Sequence, residues 1–135
     1  MPVPPILHLS VPVRDLGESK AFYVDRLGCG LGRERDHFVD VWFHGMQVTL
    51  HEQPSQLLDP VATGCRHFGV TLARVELDAL LSRLDTGGVD WVDRVSTDFP
   101  GTPQEQTKAK IRDPSGNVIE LKSYADPSAA LERDG

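Results

Sequence analysis

Cysteine is scarce in this chain of 135 residues: there are two, Cys29 and Cys65, and neither lies in a paired motif. That excludes a disulfide scaffold and a zinc ribbon, and both residues are expected to be reduced thiols. No apolar run approaches the length of a bilayer, so a membrane-spanning helix is excluded from the sequence. The amino end, MPVPP, has neither the basic stretch nor the apolar segment of a secretory signal, which points to a cytosolic protein. An excess of basic residues is missing too. The net charge of −6 would repel a phosphate backbone, so nucleic acid is excluded as the main partner and a small molecule becomes the expected one.

What is present is ordinary globular composition, with 39% hydrophobic and 25% charged residues, enough for one compact domain spanning 1–135. Within it the pattern repeats. In residues 6 to 13, Leu7, Leu9, Val11 and Val13 alternate with His8 and Ser10, as in a half-buried strand whose polar face carries His8. Asp15 followed by Glu18 resembles an aspartate form of the capping box and predicts a helix running to Leu27 and ending at Gly28. Extended segments follow at roughly 31–36, 39–44 and 47–52, with Gly45 supplying a turn. Gln47, Thr49 and His51 share the polar face of the last segment.

The second half follows the same plan. His67, Gly69 and Thr71 take the polar face against Phe68, Val70 and Leu72. Leu77, Leu80, Leu81 and Leu84 then recur at helical spacing up to Gly87. A weak strand near 91–95, a polar stretch at 96–106 expected to act as a lid, and strands near 107–112 and 117–123 complete it. Asp113-Pro114-Ser115-Gly116 predicts a type I turn between the last two. The remaining tail, Ala125 to Gly135, is short and polar and is expected to fray. Each half thus reads strand, helix, three strands, and neither such unit buries its helix-facing surface well alone.

The polar faces carry the chemistry. His8 and His67 head equivalent strands, and Glu120, in GNVIEL, stands on the matching face of a third strand. Two neutral imidazoles and one carboxylate form the ligand set of a metal centre with open positions; the set favours Fe(II), with Mn(II), Zn(II) or Ni(II) as alternatives. Lys108, Lys110 and Arg112 alternate with Ala109 and Ile111, so three cations on one face invite an anionic substrate or rim a solvated sheet. His44, sharing a face with Asp40 and Trp42, and Tyr124, next after the metal strand, are further candidates for substrate contact.

The stretches AFYVDRLG, HFGVTL, TPQEQ and DPSGNVIELKSY resemble the vicinal-oxygen-chelate superfamily of glyoxalases, bleomycin-resistance proteins and extradiol dioxygenases. They are most similar to its small single-domain predicted extradiol dioxygenases. The resemblance implies an α+β fold in which two βαβββ modules, roughly 6–52 and 66–123, form a curved mixed sheet around a central cavity, and it implies a homodimer. It places His8, His67 and Glu120 at metal-ligand positions and Thr49 where glyoxalase-like members carry a fourth ligand. His51 is then either that fourth ligand or the acid–base histidine of ring-cleaving members; the second role is favoured. The activity implied is a metal-dependent dioxygenase acting on a vicinal-diol or catechol-type substrate. The alternatives are a glyoxalase- or epimerase-type lyase or isomerase, or a drug-binding resistance protein without catalysis. One departure counts against catechol cleavage: ring-cleaving members carry a tyrosine where this chain has Lys110.

Overall fold

The computed structural model describes residues 3–131. The chain divides into two compact units, one made of Met1–Gly64 with Asp113–Asn117 and the other of Cys65–Arg112 with Val118–Gly135.

In the first unit the order is β1 (His8–Val13), α1 (Leu16–Ala21), a π-helical turn (Phe22–Arg26), β2 (Gly30–Glu34), β3 (Phe38–Phe43), β4 (Met46–Glu52) and a short α2 (Pro60–Thr63). The strands form one mixed sheet, β1-β4-β3-β2, in which β1 runs parallel to β4 and the other pairs are antiparallel. Asp15 caps α1 by accepting a hydrogen bond from the Glu18 amide at 2.7 Å, as its spacing predicts. The helix does not continue regularly to Leu27. Its last turn widens, with the Leu27 amide bonding to the Phe22 carbonyl, and Gly28 ends it at φ 77°. Val39, Val41, Phe43, Val48 and Leu50 from the sheet meet Phe22, Tyr23 and Leu27 in the core, each worth about 1.5–3 kcal/mol when fully buried. Leu7, expected on the buried face, is 74% exposed because it precedes the paired part of β1.

The second unit runs β5 (Phe68–Thr71), α3 (Arg74–Gly87), β6 (Asp90–Asp98), β7 (Gln106–Arg112) and β8 (Val118–Tyr124). Its sheet, β5-β8-β7-β6, again has one parallel pair, β5 with β8. Leu77, Leu80, Leu81 and Leu84 of α3 are buried, and Ala109, Ile111, Ile119 and Leu121 form the sheet's side of the core. The helix stops one residue later than expected, with Gly88 rather than Gly87 adopting the left-handed φ of 77°.

Residues 96–106 are a correction. They are not an irregular lid: β6 continues to Asp98, and Phe99 to Glu105 form a turn held by bonds from the Thr102 amide to the Phe99 carbonyl and from the Gly101 amide to the Glu105 carboxylate. Part of the expected fraying tail is also structured, since Pro127–Leu131 forms a 3-10 turn that buries Ala129; residues 132–135 of that tail lie outside the described residues. Both cysteines are free thiols, Cys65 exposed and Cys29 buried, where loss of hydration pushes the Cys29 thiol up to about 12. None of the described helices is long and apolar enough to cross a membrane.

Candidate metal and substrate site

In the second unit, strand alternation sets Glu120 and Lys122 of β8 on the same half-buried face as Lys108, Lys110 and Arg112 of β7. His67 lies immediately before β5, which pairs with β8 through Gly69 and Glu120. Its Nε2 stands 3.9 Å from a Glu120 carboxylate oxygen. The other ring nitrogen, Nδ1, is 2.7 Å from the Cys65 carbonyl, and because a carbonyl can only accept, Nδ1 carries the proton. In the neutral ring Nε2 therefore offers its lone pair on the Glu120 side. This pair lines a cleft of about 250 Å³ with Gly69, Thr71 and Lys122. A larger cleft of about 550 Å³, lined by Arg74, Glu105, Thr107, Ser123 and Tyr124 among others, contains no imidazole. Of these two clefts, the smaller is the one lined by an imidazole beside a carboxylate.

Gly69 makes the approach of β5 possible. A Cβ at that position would lie 1.9 Å from the Glu120 carbonyl oxygen. No sequence signal beyond an isolated glycine in a strand marks it.

The cations on this face share one face as expected, but they are not free. Lys108 lies 2.7 Å from Asp98, Lys110 is 3.8 Å from Asp93, and Arg112 is 3.5 Å from Asp90. The Asp98 hydrogen bond and charge hold the Lys108 ammonium above its usual range. Lys110 and Lys122 also flank Glu120, at 3.8 and 3.6 Å. Tyr124 stacks on the Lys122 ammonium at 5.5 Å and borders the larger cleft rather than the His67–Glu120 pair.

In the first unit, His8 is the exposed first residue of β1, paired in register with Gln47. Thr49 is spoken for: it is buried, and its hydroxyl donates to Asp40 at 2.7 Å. Asp40, 1% exposed, also accepts from Arg33 Nε at 2.6 Å and from Gln47 at 3.4 Å. Burial pushes its carboxyl up, but the bonds from Thr49 and Arg33, with the charges of Arg33 and His8, outweigh this and hold it below the ordinary range. His51 is half-buried with its ring 5.8 Å from that of Phe38. His44 is the first residue of the two-residue His44-Gly45 hairpin turn, at φ 49°, with its ring against Phe43. The buried Asp40 was missed as a site residue; its signal is a lone acid inside the apolar run VDVWF.

Among the described residues, no cluster of three or more His, Cys, Asp or Glu side chains is assembled for a metal ion. His67 and Glu120 lie in the second unit and His8 in the first.

The model of the glyoxalase/bleomycin resistance protein/dioxygenase superfamily matches residues 5–121. The chain belongs to that superfamily. A glyoxalase/bleomycin resistance protein/dioxygenase from Alicyclobacillus acidocaldarius is 31% identical, with 93% of this chain and 96% of that one covered and a TM-score of 0.83. The fold is shared with the fosfomycin resistance protein FosX of Listeria monocytogenes, at 15% identity, 94% and 98% coverage and TM-score 0.76. It is shared also with a lactoylglutathione lyase of Agrobacterium tumefaciens, at 21% identity, 90% and 95% coverage and TM-score 0.67. No curated protein matches the sequence. Members of the superfamily are typically dependent on a divalent metal. The donors here fit such an ion: a neutral imidazole with its proton fixed on the far nitrogen by a carbonyl is the arrangement that metal-ligating histidines adopt, and a carboxylate stands beside it.

Proposed function

We propose that this superfamily member is a metal-dependent dioxygenase acting on a small substrate with two adjacent oxygens, of the vicinal-diol or catechol type, as a homodimer. His67 and Glu120 hold the ion, with Fe(II) favoured, and His8 is the third ligand, assigned from the sequence repeat. The observation that carries the reading is the His67–Glu120 pair with the His67 proton committed to the Cys65 carbonyl. Thr49 supports it as well: hydrogen-bonded to a buried carboxylate, it is no fourth ligand, and a three-ligand centre keeps positions open for substrate. When bound, the ion supplies a Lewis-acidic, redox-capable centre. His51, which has no side-chain hydrogen bond among the described residues, is left to move the substrate's proton, the role imidazoles most often take in general acid–base catalysis. Lys110 and Lys122 balance the Glu120 charge.

The test is anaerobic reconstitution with Fe(II), metal analysis, and nitric oxide binding as a spectroscopic probe of open positions. The wild-type chain is expected to bind one equivalent. His67→Ala, Glu120→Ala and His8→Ala should each weaken binding by about a hundredfold or more, since each removes a ligand from a small set. Full metal retention in both His67→Ala and Glu120→Ala would sink the proposal. Stoichiometric metal without oxygen uptake on any catechol or diol would transfer the site to the lyase or isomerase class.

A further inference from the structure

The cations of β7 are matched by acids on β6, so recognition of an anionic substrate group has to be sought elsewhere. Arg33, in the first unit, differs from them. Its side chain is 59% exposed, its Nε is committed to Asp40, and neither terminal nitrogen has a partner among the described residues. The guanidinium carbon lies 5.2 Å from the centroid of the Phe38 ring, which is in turn 5.8 Å from the His51 ring.

The chain goes to some trouble to build this arrangement. A register shift between Leu31 and Glu34 turns Glu34 toward Lys20 of α1 and releases Arg33 onto the polar face. Gly32 lets β2 lie close to β3, for a Cβ there would meet the Asp40 Cβ at 3.0 Å and the Trp42 indole nitrogen at 3.1 Å. Asp40 is itself fixed by Thr49 and Gln47. A guanidinium gripped through Nε and stacked on an aromatic ring has lost most of its freedom before any ligand arrives, while its two terminal N–H groups still form the fork that matches a carboxylate.

We propose that Arg33, oriented by Asp40 and Phe38, is the anchor for a carboxylate group on the substrate, with the body of the ligand beside the Phe38 and His51 rings. The inference deepens the proposed function and rests on it for the existence of a substrate; it names that substrate as a carboxylate carrying an unsaturated or aromatic body. Asp40 is a positioning residue in this scheme and Arg33 a binding residue.

The test uses the full-length metal-free protein, so that its failure is separate from a failure of the metal reading. Benzoate, with benzamide as the neutral isostere, is titrated while the Arg33 Nε–Hε signal and the Phe38 and His51 ring signals are followed by NMR. Benzoate is expected to shift all three saturably and benzamide to leave them unmoved. Arg33→Lys keeps a charge beside Asp40 but loses the fork, and should weaken benzoate by about tenfold, the loss of one charge-assisted pair, with little change in melting temperature. Equal responses to benzoate and benzamide, shifts confined to Lys110, Arg112 and Lys122, or unchanged affinity in Arg33→Lys would each overturn the assignment. Should Arg33→Lys fail to fold, the benzoate and benzamide comparison on the wild-type protein decides it alone.

Discussion

Gly69→Ala is expected to unfold or detach the edge strand of the second unit, at a cost of at least about 3 kcal/mol, the upper end of what overpacking normally costs. The added Cβ would stand 1.9 Å from the Glu120 carbonyl oxygen, 2.7 Å from its carbonyl carbon and 3.0 Å from its amide nitrogen. All three are backbone atoms, and none can turn aside as a side chain would. Relief therefore requires β5 to move from β8, its one strand neighbour among the described residues in a sheet ordered β5-β8-β7-β6. The strand has four residues, so the shift would spend most of its ladder. His67 adjoins β5 and Glu120 lies across from Gly69, so stability and metal affinity should fall together. Urea unfolding with parallel metal titration measures both; a change under about 0.5 kcal/mol, the range of an ordinary surface substitution, would mean that the two strands do not lie this close.

Asp113→Ala should be of similar severity, about 4 kcal/mol, for a different reason. The carboxylate is 3% exposed and accepts from the Tyr23 hydroxyl at 2.7 Å, the Ser115 and Asn117 amides at 2.8 and 2.9 Å, and the Asn117 side-chain amide at 2.9 Å. Asn117 also donates to the Pro12 carbonyl, tying the turn to β1. Burial, the Asp113 charge and the hydrogen bond together push the Tyr23 phenol well above its usual range, so it stays a protonated donor. Alanine would leave that fully buried hydroxyl and two turn amides without an acceptor, each worth about 1–3 kcal/mol. Tyr23→Phe removes one donor and leaves the other three bonds, and should cost only about 1–2 kcal/mol. If thermal unfolding ranks the two variants equally, the turn bonds contribute little and this account fails.

Much of the architecture was legible because hydrophobic period and turn residues agree locally. The Leu77, Leu80, Leu81, Leu84 spacing, the Asp15 cap and the Gly45 turn each specify their element without help from distant residues. The alternation around Ala109 and Ile111 likewise fixed the face on which three cations stand. Their partners were not legible. Two register shifts in β6 break its alternation, and only those shifts bring Asp90 and Asp93 opposite Arg112 and Lys110. The same cause hid Arg33, which regular alternation would have turned toward the core. At the site, His67 and Glu120 could be read from repeat symmetry and are adjacent in space. The proton on His67 Nδ1 could not, since it depends on where the Cys65 carbonyl falls. Thr49 was read as a missing ligand; its reason lies across the strand pair, in Asp40.

That last pairing constrains the history available to the chain. A glutamate at position 49 would set a second carboxylate against one that has almost no solvent to share, so the exchange is unfavourable while Asp40 remains. Yet losing Asp40 first strips Thr49 and Arg33 of their acceptor. The two positions thus form a coupled pair, in which either change alone is unfavourable and the effects of the two together are not additive.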